Sequence, residues 1–134
     1  TNAFVAGFLG NPPMSLLRGR LNERGAWEAG DLELPVPENV KSRLTVGGRL
    51  ILGIRPEHTR LADDEPPTFH GRVVHIERDL PRRVQTVFVK RPPLPDVAVK
   101  VPSDEPVRVG DRVPVVLPLH RLVFFDGKTE MRIG

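Results

Sequence analysis

The 134-residue chain has no cysteine, no tyrosine and a single tryptophan. Without cysteine, disulfides and thiolate metal sites are excluded, and the fold must rest on apolar burial. No apolar run approaches the roughly 20 residues a membrane-crossing helix needs, and no signal-peptide pattern is present. The phosphate-binding pattern G-x-x-x-x-G-K-[ST] is also missing. Gly127-Lys128-Thr129 has its ending, but Leu122 stands where the first glycine belongs, and Phe125-Asp126-Gly127 reads as a hairpin turn. No serine sits in a recognisable arrangement with a histidine. The four histidines (His58, His70, His75 and His120) are scattered without a zinc-ligand spacing. No catalytic residue, cofactor-binding residue or metal ligand is therefore assigned. The chain begins at Thr1 rather than Met, which suggests a fragment or a processed product.

Turn formers are abundant: 15 prolines and 12 glycines, closely spaced, favour short strands over long helices. The formal charge is +3. Residues 68–134 carry 12 basic against 8 acidic groups, with the excess near Arg72, Arg78, Arg82, Arg83, Lys90 and Arg91. Such a cluster is either a solvated basic loop or a face for an anionic partner or membrane.

The stretch Leu50–His58 organises the chain. Leu50, Leu52 and Ile54 alternate with Ile51, Gly53 and Arg55, the period of a strand with one well-buried face. Pro56 removes a backbone donor and biases Arg55 toward extended backbone, so Arg55, Glu57 and His58 are presented together at the strand end. That constellation is either a polar contact to a partner domain, with Arg55 offering a bidentate fork to a carboxylate, or a local ion pair capping the strand.

Only the first nine residues read as a helix. Asn2 is its N-cap candidate, Phe4, Val5, Phe8 and Leu9 its apolar face, and Gly10 its C-cap. The face either docks on this domain's own strands or is the tail of a helix from a preceding domain. Strands are expected at Met14–Leu21, Ala26–Leu34 with an interruption at Gly30-Asp31, His70–Arg78, Val84–Lys90, Val97–Val101 and Val113–Leu117, with a hairpin at the end, where Asp126-Gly127 supplies the positive φ. Trp27 is assigned to core or interface packing, having no neighbouring aromatics for ligand stacking. Phe4, Phe8, Phe124 and Phe125 are assigned the same role. The fold class is mainly β. An OB-like (MOP-like) small barrel or sandwich is expected from about His70, with a second, smaller β lobe and the short N-terminal helix.

Four strings, in order, carry a family resemblance: FVAGFLGNPPM at 4–14, LGIRPEH at 52–58, VRVGDRVPVVLP at 107–118 and RLVFFDGKTEMRI at 121–133. The chain resembles, nearly end to end, the C-terminal regulatory (transport-associated OB, TOBE) region of the ATPase subunits of maltose-type and related sugar or glycerol-phosphate ABC importers. Pro81 stands where that family more often has Gly, and Gly127 where it often has Pro. The resemblance implies that residues 1–13 are a junction helix from a preceding ATPase domain. Residues 14–134 would be the regulatory domain, in two intertwined lobes at about 14–60 and 69–134. It further implies a non-catalytic module on the cytoplasmic side of a bacterial or archaeal membrane, peripheral through the transporter. Implied partners are its own ATPase domain, a second copy of the subunit, the membrane subunits indirectly, and a regulatory protein. ATP and Mg²⁺ would be bound by the ATPase domain, not here. Arg55, Pro56, Glu57 and His58 become the interdomain contact, and the task is mechanical: two subunits stay paired while ATP closes them.

Two other classes compete. An oxyanion-binding barrel of the molybdate type could use backbone amides at Val46-Gly47-Gly48. An OB-fold single-stranded nucleic-acid binder would need aromatics interleaved with the basic residues, and only Phe88 lies near them, so no nucleic acid is expected.

Overall fold

A computed structural model describes residues 2–8 and 12–134, without the side chain of Phe8. The Leu9 and Gly10 assignments of the helix end lie outside the described residues. The chain is mainly β and divides into two compact units. One runs to Ile54 and resumes at Leu122–Gly134; the other is Arg55–Arg121.

The first unit holds the helix α1 (Ala3–Phe8), strands β1 (Ser15–Leu21), β2 (Ala26–Ala29) and β3 (Leu32–Pro35), a one-turn helix α2 (Glu38–Lys41), and β4 (Arg49–Ile54). Its six-stranded sheet is completed at one edge by the C-terminal strands, which are numbered below in chain order. The interruption expected at Gly30-Asp31 is a hairpin turn, with Gly30 at φ +60°, so Ala26–Leu34 divides into two paired strands. One face of the sheet is a continuous apolar layer. Leu17 pairs with Leu52, Gly19 with Leu50, and Leu21 with Trp27, which in turn opposes Leu34. Leu17, Trp27, Leu50 and Leu52 are fully buried.

The second unit contains β5 (Arg60–Leu61), β6 (Phe69–Asp79), β7 (Val84–Lys90), β8 (Val97–Pro102) and β9 (Arg112–Val116). They form an antiparallel sheet in the order β5-β9-β6-β7-β8. Val73, Val87, Val89, Val97, Val99 and Val115 fill its inside, the β-branched residues that suit a pleated, curved surface. The edge strands β5 and β8 come alongside each other without a ladder, so the sheet curls but stays open. A bulge at Val73/His75 shifts the alternation read from the sequence, leaving Val74 and His75 both outward.

Strands β10 (Val123–Asp126) and β11 (Arg132–Ile133) close the chain. Strand spacing alone assigns them to the second lobe, at 69–134. The antiparallel ladder of β10 on β4, with Phe124 opposite Leu52 and Phe125 opposite Ile51, places them instead in the first unit's sheet, β11-β10-β4-β1-β2-β3. The other face of that sheet is covered at one end by α1. Ala3 and Ala6 pack with Met14, Ile51 and Phe125. Asn2 caps the helix through Oδ1, which accepts the Val5 amide at 2.9 Å. The buried helical face is therefore Ala3–Ala6, whereas Phe4 and Val5 are 66% and 40% exposed. The small side chains win because the helix lies close on β1, β4 and β10. For the same reason Ile51 and Gly53 are buried, and β4 is covered on both faces rather than one.

The turn between β10 and β11 differs from the expected Asp-Gly device. Positive φ falls on Glu130 (63°), not Gly127. Gly127 is required for another reason: a Cβ there would run into the Cβ and backbone of Arg49, on which the turn is seated.

Candidate functional site

Strand β4 ends where the sequence predicts, at Ile54, and Pro56–His58 form a single 3-10 turn. Arg55 is extended, at φ −81° and ψ 143°, as a residue before proline should be. Pro56 is buried, Glu57 exposed, and Arg55 and His58 half-buried. No ion pair joins Arg55, Glu57 and His58 among the described residues, so the local-salt-bridge reading of the strand end is not met. The end is closed by a residue that the motif reading missed. Thr59 Oγ1 donates to the Arg55 carbonyl at 3.0 Å, and the His58 amide donates to the same oxygen at 3.0 Å. The hydroxyl of the residue that directly follows the proline turn was the available signal. The turn packs against β8.

Of the residues assigned to packing, Trp27, Phe124 and Phe125 are buried in the first unit, and Phe4 is exposed on α1. Trp27 Nε1 donates to the Leu50 carbonyl at 3.0 Å. The Phe8 side chain lies outside the described residues.

The basic cluster seen in the sequence does not form one patch. Arg82 is paired with Asp79 at 2.9 Å, closing the β6–β7 turn, and this contact holds the Asp79 carboxyl below its usual range. Arg72 stands across the ladders from both Lys90 and Arg112, a cationic row on three neighbouring strands.

A second basic site lies in the first unit. The Leu44–Gly48 loop, the ends of β1 and β4, and the β10–β11 turn border a groove of about 330 Å³. Arg20, Arg43, Arg49 and Lys128 line it, with Asp126 as the one carboxylate. Sequence reasoning missed it because its cations come from four separate segments. The amide cradle expected at Val46-Gly47-Gly48 is not available at its two glycines. The Gly47 amide donates to Leu21 and the Gly48 amide to Thr45. By contrast, a second groove along β5 and β8 has its Arg60 compensated by Glu65 at 2.7 Å.

The turn from β1 to β2 is a polar cluster that sets the hairpin. Asn22 Oδ1 accepts the amides of Arg24 (2.9 Å) and Ala26 (3.0 Å), while its Nδ2 donates to Glu33 on β3. Arg24 donates to the same carboxylate at 2.8 Å. Arg24 first, then Asn22, hold the Glu33 carboxyl below its ordinary value. A depressed carboxylate stabilises the fold above its unfolded pKa, about 4.3, and loses that contribution as pH falls through the lower folded value. Wild type is thus expected to be more stable than Glu33→Gln at pH 7, by a small margin that vanishes in acid. Urea titrations of both proteins between pH 7 and pH 3 check this, and a margin that grows in acid would contradict it.

A family profile described as the MalK OB fold domain matches residues 10–59. The sn-glycerol-3-phosphate import ATP-binding protein UgpC of Burkholderia lata is 34% identical, and that of Burkholderia ambifaria 36% identical, each over 98% of this chain. The maltose/maltodextrin import ATP-binding protein MalK of Vibrio parahaemolyticus is 30% identical over 98% of the chain. The chain spans about 37% of the length of each of these relatives. The OB-fold match falls on β1–β4 and the 3-10 turn. The cleaner alternation after His70 had pointed to the second half instead, because valine-rich strands signal more strongly than the short, arginine-interrupted ones of the first unit.

Proposed function

Because this chain belongs to the family of MalK- and UgpC-type import ATP-binding subunits and matches their C-terminal part, we propose that it is the regulatory and pairing module of such a subunit. The observation that carries the reading is the extent of the match: 98% of the chain against about 37% of each relative. In a subunit of that length the remaining residues hold the ATP-binding machinery, and this chain has no phosphate-binding loop to supply it. The module is non-catalytic and works on the cytoplasmic side of an importer's membrane subunits. Residues 1–13 join it to the ATPase domain. Its strand-built units hold two subunits together while their ATPase domains close on ATP and reopen.

Arg55 suits a contact in this role. Its guanidinium has no carboxylate partner among the described residues, so its planar fork is open to an acid on a neighbouring domain. The test compares the full-length subunit with a form lacking residues 14–134, by analytical ultracentrifugation with and without ATP. Self-association is expected to weaken at least tenfold on deletion, and most clearly without nucleotide. Equal association of both forms would refute the pairing role.

A further inference from the structure

We propose that the basic groove of the first unit is a binding site for a phosphate-class dianion, orthophosphate or a small phosphate monoester. Three observations carry this. Arg20 on β1 and Arg49 on β4 are directly opposite in the ladder, a like-charge pairing that is unfavourable and that an anion between them would relieve. Four cations face one carboxylate, and the Oδ1 of that carboxylate, Asp126, is already accepting the amides of Lys128 (2.7 Å) and Thr129 (3.1 Å). No carboxylate pairs with Arg20, Arg43, Arg49 or Lys128 among the described residues.

The groove is held in shape by backbone bonds. Arg20 Nη1 donates to the Gly47 carbonyl at 2.9 Å, aligning the guanidinium along the rim and leaving its other donors for a ligand. The Gly127 amide donates to the Arg49 carbonyl at 2.9 Å, and the absence of a Cβ at Gly127 lets the turn sit directly on β4. That seating carries Lys128 to the groove. Arginine forks match phosphate oxygens bidentately, and a lysine adds a point charge. A volume of about 330 Å³ exceeds what orthophosphate alone fills and leaves room for a short organic tail. Here side chains, not loop amides, supply the recognition.

The test is an amide-resolved NMR titration of the 134-residue chain with sodium phosphate and, separately, glycerol phosphate. Ionic strength is held near about 0.15 M with sodium chloride, so that general screening is constant. Saturable binding with Kd of about 1 mM or tighter is expected. The shifts should centre on Arg20, Gly47, Arg49, Gly127 and Lys128. Arg49→Met and Lys128→Gln should each weaken it about tenfold, the loss of one charge-assisted contact. Lys128→Gln keeps the turn, whose bonds use the backbone, so it reads the side chain without risk to folding. Arg18→Gln, which removes a cation from the same strand outside the groove, should leave Kd unchanged. Shifts that grow linearly without saturating, or the same Kd in Lys128→Gln, or equal weakening by Arg18→Gln, would each overturn the site. Tighter binding of glycerol phosphate than of orthophosphate would assign the tail to the groove. A preference for orthophosphate would restrict the ligand to the free anion within the same proposal.

Discussion

Replacing Trp27 by alanine is expected to cost the first unit about 4 kcal/mol of unfolding free energy, within the range for deleting a buried aromatic side chain. The indole is fully buried on β2, between Leu21 of β1 and Leu34 of β3. Its Nε1 donates across two strands to the Leu50 carbonyl at 3.0 Å. Truncation opens a cavity and also removes that hydrogen bond, so two costs add. Trp27→Phe separates them. It retains most of the apolar filling and loses the donor, and about 1–2 kcal/mol is expected, the order of one buried hydrogen bond. The site admits no compensation from beneath. A Cβ at Gly19 would meet both the indole and the Glu28 carbonyl oxygen inside van der Waals contact. Gly19→Ala should therefore destabilise wild type by about 1–3 kcal/mol through overpacking. It should not rescue Trp27→Ala, because the Glu28 backbone stays where it was. Urea unfolding monitored by far-UV circular dichroism, with an unchanged m value, measures all three. A Trp27→Ala loss under about 1 kcal/mol would mean that the indole is not a core residue.

What could be read from the sequence was local. Proline and hydrophobic alternation placed the end of β4 at Ile54, Asn2 announced a helix cap, and valine alternation located β7 and β8. Each rests on interactions within a few residues. What could not be read was non-local. Nothing in 122–134 states that β10 will ladder onto β4, some seventy residues earlier, because alternation fixes which face a residue takes but not which strand lies beside it. The same gap hid the basic groove. Arg20, Arg43, Arg49 and Lys128 look like four solvated charges until the β1–β4 register and the seating of Gly127 on Arg49 bring them to one rim. Gly127 shows how residue type can be right for a different reason: glycine is needed there for close approach, while Glu130 takes the positive φ.

The second large effect follows from the helical face that the structure buries. Phe125→Ala is expected to cost about 3–4 kcal/mol, whereas Phe4→Ala should change stability by no more than about 0.5 kcal/mol. Phe125 is fully buried on β10 beside Ile51 of β4, under Ala3, Ala6 and Met14. Phe4 is 66% exposed on the opposite side of the helix. Apolar spacing alone puts Phe4 on the buried face of the helix, since alanines contribute little to amphipathicity. Packing decides it: with six residues, α1 is too short to persist on its own and exists because its flat alanine face lies on the aromatic ring. Loss of that ring should release the helix before the sheet. In hydrogen exchange, the Ala6 amide, bonded to the Asn2 carbonyl at 3.0 Å, should lose protection in Phe125→Ala under conditions where the β1–β4 ladder keeps it. The Ala3 amide, which donates to the Glu130 carbonyl at 2.8 Å, should follow Ala6, because the helix start and the terminal hairpin are joined by that bond. If Phe4→Ala proved the more damaging change in the isolated chain, the helix would have to sit on the sheet by its other face.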